Sequence, residues 1–267
     1  MMMKKKQGYR ITPFSANRKI VAASCSISKE TNTIHGITEI NVTKPRMFIK
    51  KHREKTGESL SFTAFVVTCF AKALSEYPSF NSFRKGNRLI LLDDITIGVL
   101  IERELDGEKI PEPVTLHQVQ NRSFQDIHTQ IRSAQQVEDN RMGGLSDSQW
   151  IRLIPGFLLR IFIRLASRSI TMAKKFGKTS VTAVGMFGKS ALWFLPLTSA
   201  TVTLTVGSIV NRPIRIEDRI ELQEHLCVTI SFNHDIIDGA PATRFTRRFS
   251  ELLETDDLLK RDAIDET

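Results

Sequence analysis

Apolar positions along the chain follow two spacings. From Phe62 to Tyr77, the residues Phe62, Phe65, Val66, Cys69, Phe70, Ala73 and Leu74 recur on one helical stripe and Pro78 stops the run, which predicts a core helix. Pro45 to Lys55, with a proline at its start and Gly57 beyond its end, predicts a shorter one. Ser123, with Asp126 three residues on, opens a helix running to about Val137. A last helix follows Pro241, with Ala242, Phe245, Phe249, Leu252 and Leu253 facing inward. Period-two stretches predict strands at Ile34 to Val42, Leu89 to Leu92, Ile95 to Glu102, Thr179 to Val184, Thr201 to Val206 and Leu222 to Phe232. In the last of these, Leu222, Glu224, Leu226, Val228, Ile230 and Phe232 share one face, and one face of the strand is expected to be largely buried. Strands and helices mixed in this way, with no repeat of 20 to 50 residues, give an α/β sandwich around a mixed sheet.

Composition narrows the classes. A chain of 267 residues with 41% hydrophobic and 25% charged residues is of globular type. Cys25, Cys69 and Cys227 have no ligand-like spacing, so neither a disulfide scaffold nor a metal site is expected. The lysine-rich start lacks an apolar stretch behind it, and a cytoplasmic location is the default expectation. Ser190 to Asn211 is uncharged, but Pro196, Gly207 and alternating threonines read as loop plus strand rather than a membrane span.

The net charge of +9 is regional: no acid lies between Gln149 and Ile216, a stretch that carries ten bases. Many of these bases alternate with Leu, Ile and Phe at helical spacing, so nucleic acid is not the expected partner. A solvated helix face, a site for a phosphorylated small molecule and an acidic partner all remain open, as does weak contact of the Ile151 to Ile170 surface with a membrane. Gln136 to Ser148, polar and containing Gly143-Gly144, is expected to be a mobile connection, with a kink near Pro155-Gly156.

The segment carrying chemistry is Ser231-Phe-Asn-His-Asp-Ile-Ile-Asp-Gly239. His234 leaves the sheet at a strand end, where a rigid scaffold can aim a proton-transfer group into a cleft. Asp238 is expected to fix the turn, by pairing with a base or capping backbone amides. Gly239 is expected to allow a backbone conformation or close approach that a larger residue resists.

This H-x-x-x-D-G segment resembles the active-site motif of the 2-oxo acid dehydrogenase acyltransferase catalytic domains and of chloramphenicol acetyltransferase. Thr179 to Gly188, Leu204 to Pro213, Ala242 to Leu253, Pro78 to Asn81 and Ile95 to Val99 carry the resemblance further, over about residues 10 to 255. It implies a chloramphenicol acetyltransferase-like α/β sandwich and acyl transfer between coenzyme A and a thiol or small-molecule acceptor. His234 would be the general base, Thr182 the oxyanion donor, and Asp238 a supporting residue paired with Arg18. It also implies a homotrimer whose active site lies between subunits. Family members usually carry Asp before the histidine and Arg after it, where this chain has Asn233 and Asp235. Nothing resembling a lipoyl domain precedes the catalytic region, so a lipoyl group is expected on a separate protein.

Coenzyme A phosphates are expected on the acid-free segment, at Lys174, Lys175 and Lys178. The organisation expected is a flexible 1–9, a catalytic domain over 10–255 with a basic amphipathic insert at about 150–178, and a flexible 256–267. The alternatives are a non-catalytic oligomeric scaffold and a peripheral membrane adaptor.

Overall fold

The computed structural model describes residues 5–6, 8–12, 14–105, 108–136, 154–183 and 190–264. Residues 137–148 of the expected connection, 151–153 of the apolar surface and 184–188 of the Thr179 to Gly188 stretch lie outside these.

The chain builds ten strands and eight α-helices among the described residues. In order these are β1 (Lys5–Lys6), β2 (Tyr9–Arg10), α1 (Ala16–Ser28), β3 (Thr33–Asn41), α2 (Thr43–Thr56), α3 (Phe62–Glu76), β4 (Ser82–Lys85), β5 (Arg88–Leu91) and β6 (Ile97–Leu105). There follow β7 (Glu108–Leu116), α4 (Phe124–Gln136), α5 (Gly156–Ser167), α6 (Ile170–Phe176), β8 (Thr179–Ala183), β9 (Val202–Ile216), β10 (Arg219–Asn233), α7 (Gly239–Leu253) and α8 (Asp257–Ile264).

Six strands form one sheet in the order β3-β10-β9-β8-β6-β7. It is mixed because β8 runs parallel to both β6 and β9, while the other neighbours are antiparallel. Helices α3, α4, α7 and α8 pack together with the inward residues of the sheet, where Ile97, Val181, Leu204, Val228 and Ile230 are buried. Outward-facing Ser180, Thr198 and Thr203 hydrogen-bond to one another. The irregular segment 190–200 crosses this polar side, where Trp193 Nε1 donates to the Thr38 carbonyl at 3.2 Å.

Local sequence explains the helix ends. The Ser61 hydroxyl accepts from the Ala64 amide to start α3. Ser123 and Asp126 bond reciprocally ahead of α4, each side chain accepting from the other's amide at 3.1 Å. Gly57, in the left-handed region, closes α2.

Two expectations need correction. Strand β10 is buried on both faces from Leu226 to Phe232, since it lies between β3 and β9 with layers on either side. Its outer end behaves oppositely: past a register shift at Cys227, the β9–β10 hairpin runs into solvent and leaves Leu222 71% exposed. Residues 257–264, expected within a flexible tail, instead form α8, because Leu259 is buried in the core and the helix packs on α3 and α4.

Gly177 ends α6 with φ of +76°, and a β-carbon there would lie 2.0 Å from the Thr96 carbonyl oxygen. Gly57 has a similar φ of +79° in open space. Gly57→Ala should therefore cost about 1–2 kcal/mol, the left-handed penalty alone, while Gly177→Ala adds a backbone clash and should cost clearly more. Equal denaturant midpoints for the two variants would contradict the packing described at Gly177.

Candidate active site

Buried elements fix both ends of the His234 turn. Phe232, the last core residue of β10, and Phe245, on α7, meet edge to face with centroids 5.9 Å apart. Phe245 also stacks on Phe80 at 5.0 Å and meets Phe70 and Tyr77 edge-on. Between these anchors the amides of Ile236 and Ile237 donate to the Asn233 carbonyl, and the His234 amide donates to the Asn32 carbonyl at 2.7 Å.

His234 Nδ1 lies 3.0 Å from the carbonyl of Ile237, itself buried. A carbonyl only accepts, so the contact requires a proton on Nδ1 and leaves Nε2 as the base of the neutral ring. The side chain is 46% exposed, so a substrate can reach it. A histidine held in one tautomer at a strand end can take a proton from a thiol, amine or hydroxyl.

The residues flanking the histidine build the turn. The Asn233 carbonyl of its side chain accepts from the Asp235 amide at 3.0 Å. Asp235 accepts from Asn32 Nδ2 at 2.9 Å and from Arg84 at 3.4 Å. Asn32 and Arg84 were not singled out in the sequence, because only the tertiary fold brings them to the motif. Asp235 is the base-paired carboxylate expected of Asp238. Asp238 makes no side-chain cap, is 85% exposed and stands 3.7 Å from His234 Nδ1. Arg18 lies on the exposed side of α1, and no ion pair joins it to Asp238 within the chain. Gly239 likewise departs from expectation: its φ is ordinary for any residue and no described atom lies within 4 Å of a β-carbon placed there.

Thr182 is half-buried on β8, in register with Thr205 of β9, which pairs in turn with Thr229 of β10. The hydroxyls of Thr205 and Thr229 are buried without a partner. His234 lies five residues beyond Thr229 and two strands across from Thr182. At about 3.3 Å per residue and 4.8 Å per strand, the two are on the order of 15–20 Å apart within one chain. That separation is too great for both to touch one carbonyl.

Of the three lysines, Lys175 and Lys178 share the lining of a cavity of about 400 Å³ with Phe162 and Met172, while Lys174 lines a separate cleft with Asp93, Asp94 and His117. Lys175 also lies over the Phe176 ring, and Lys178 also lines a cavity beside Asn233 and Asp235.

The fold is thus a mixed sheet backed by helices that presents a tautomer-fixed histidine in a strand-to-helix turn. The chain matches the model of the 2-oxoacid dehydrogenases acyltransferase (catalytic domain) over residues 6–149 and 167–260, and it belongs to that family. Residues 150–166, which hold most of α5, fall outside the match.

Among relatives, the dihydrolipoyllysine-residue succinyltransferase component of the 2-oxoglutarate dehydrogenase complex from Staphylococcus saprophyticus is 28% identical over 257 residues, covering 91% of this chain. The chain spans about half, 53%, of that relative's length. A probable dihydrolipoamide acetyltransferase from Listeria monocytogenes shares the fold with a TM-score of 0.70 at 22% identity, over 93% of this chain and 96% of that one. A truncated catalytic core of the 2-oxoacid dehydrogenase multienzyme complex from Thermoplasma acidophilum gives 0.67 at 18% identity, over 92% and 98%.

Stability should follow the observed bonds. Asp238→Ala should change unfolding free energy by less than about 0.5 kcal/mol, whereas Asp235→Ala, losing contacts to Asn32 and Arg84, should cost about 1 kcal/mol. Urea titrations giving the reverse order would contradict this assignment.

Proposed function

We propose that the protein moves an acyl group between a coenzyme A thioester and a dihydrolipoyl-type thiol or small-molecule acceptor, with no acyl-enzyme. The observation that carries this reading is the hydrogen bond from His234 Nδ1 to the Ile237 carbonyl, which leaves Nε2 ready to accept a proton. Nε2 takes the proton of the acceptor as its sulfur, nitrogen or oxygen attacks the thioester carbonyl. The Thr182 hydroxyl donates to the oxyanion, and collapse expels the coenzyme A thiolate, which recovers the proton from His234.

The distance between His234 and Thr182 within one chain supports a site shared between subunits, in a cyclic trimer where each histidine faces the threonine of a neighbour.

His234→Ala should lower turnover by about 10²–10⁴-fold, read as thiol release from an acyl-coenzyme A with free dihydrolipoamide. Mixing His234→Ala with Thr182→Val subunits should restore part of the activity, because some interfaces then hold one intact histidine and one intact threonine. No recovery in mixed trimers would overturn the shared site.

A second reading, contact with an anionic membrane surface, is favoured by α5. Phe157, 62% exposed, and Leu165, 67% exposed, stand on a solvent-facing arc with Ile161, beside Arg160 and Arg168. Cosedimentation with phosphatidylglycerol vesicles should occur and be lost in a Phe157→Ser, Leu165→Ser double variant. Equal binding by the variant would remove this reading.

A further inference from the structure

A cavity of about 430 Å³ opens beside the His234 turn, walled by the end of α1, the β4–β5 hairpin, the end of α5 and the strand ends. Asn233 and Asp235, on either side of His234, both line it. Arg164, from the segment that the family model does not match, lines it as well.

Its charges are unbalanced. Four bases face it: Arg84 from β4, Arg164 and Arg168 from the end of α5, and Lys178. Two acids face it, Glu30 from the end of α1 and Asp235 from the His234 turn. Glu30 is bonded to Arg164 and Asp235 to Arg84. No carboxylate among the described residues forms an ion pair with Lys178, and Arg168 acts on Glu30 only through space, Glu30 being bonded to Arg164.

Lys178 is also held in place. Its Nζ donates to the Ser167 carbonyl at 2.5 Å, sits 4.8 Å above the Phe83 ring, and follows the constrained turn at Gly177. An ammonium fixed in a half-buried site without a counter-ion favours an incoming anion more strongly than a solvated surface lysine does.

We propose that this cavity is an anion subsite in which Lys178 and Arg168 bind a carboxylate or phosphate carried by a small molecule that reacts at His234. The idea rests on the acyl-transfer reading for its purpose, but anion binding itself does not require turnover. Burial lowers the Lys178 pKa to about 8. Its charge, and with it the attraction, is therefore present below that pH and is lost as pH rises through it. The other charged side chains facing Lys178 are Arg84, Arg164, Arg168, Glu30 and Asp235 in this cavity and Lys175 in the adjoining one.

Calorimetry on the full chain tests the subsite with succinate and inorganic phosphate as probes. Binding of either at pH 7 is expected to weaken at least tenfold in Lys178→Met, and to weaken in the parent between pH 7 and 9 by a step that this variant lacks. Arg168→Gln, at an exposed position, provides a second variant should Lys178→Met melt early, and it too should weaken binding. His234→Ala should bind both probes like the parent, so failure of acyl transfer and failure of the subsite are separate results. Simultaneous binding of succinate and coenzyme A would assign the site to a carboxylate on the acyl group or acceptor. Displacement of succinate by coenzyme A would assign it to the coenzyme's phosphate. Absence of probe binding to folded protein, or binding unchanged in both Lys178→Met and Arg168→Gln, would overturn the proposal.

Discussion

Everything at the candidate site depends on Phe245 being packed among Phe70, Tyr77, Phe80 and Phe232. These rings join α7 to α3 and to the end of β10, so the chain from Asn233 to Asp238 must turn between two immobile supports. Burial of such large side chains contributes several kcal/mol and resists small displacements, because a close-packed interior has no room for them. The turn then places the Ile237 carbonyl where His234 Nδ1 meets it. Core packing is in this way converted into the tautomer of His234.

The residues on either side of the histidine hold the turn in two different ways. Asn233 serves the turn by accepting an amide, and Asp235 reaches back to Asn32 and Arg84. Both also face the cavity beside the histidine. Both residues therefore join two tasks, holding the loop and shaping the cavity wall beside His234.

Charge follows a similar logic. The acid-free stretch is strongly basic in sequence, yet Glu39 bonds Arg212 at 2.8 Å and Glu30 bonds Arg164, both acids coming from the first part of the chain. Arginine pairs of this kind are partly solvated and add little to stability. Their consequence is selective: they neutralise some bases and leave others, Lys178 among them, facing a cavity with no acid of their own.

Local pattern alone determined the core helices α3, α4 and α7, the span of β3 and β10, and the strand-end histidine, since side-chain spacing and caps such as Ser123 with Asp126 act within a few residues. Relations between distant residues were settled only by the tertiary structure. Period two in β10 shows which residues share a face, but burial of both faces required β3, β9 and the flanking layers. Proximity along the chain placed Lys174, Lys175 and Lys178 together, whereas the fold keeps Lys175 and Lys178 on one cavity and turns Lys174 to another. The motif made Asp238 look like the anchored carboxylate. The fold instead carried Asn32 and Arg84 to Asp235, because hydrogen bonds go to groups that the backbone brings within 3–3.5 Å, whatever their separation in sequence.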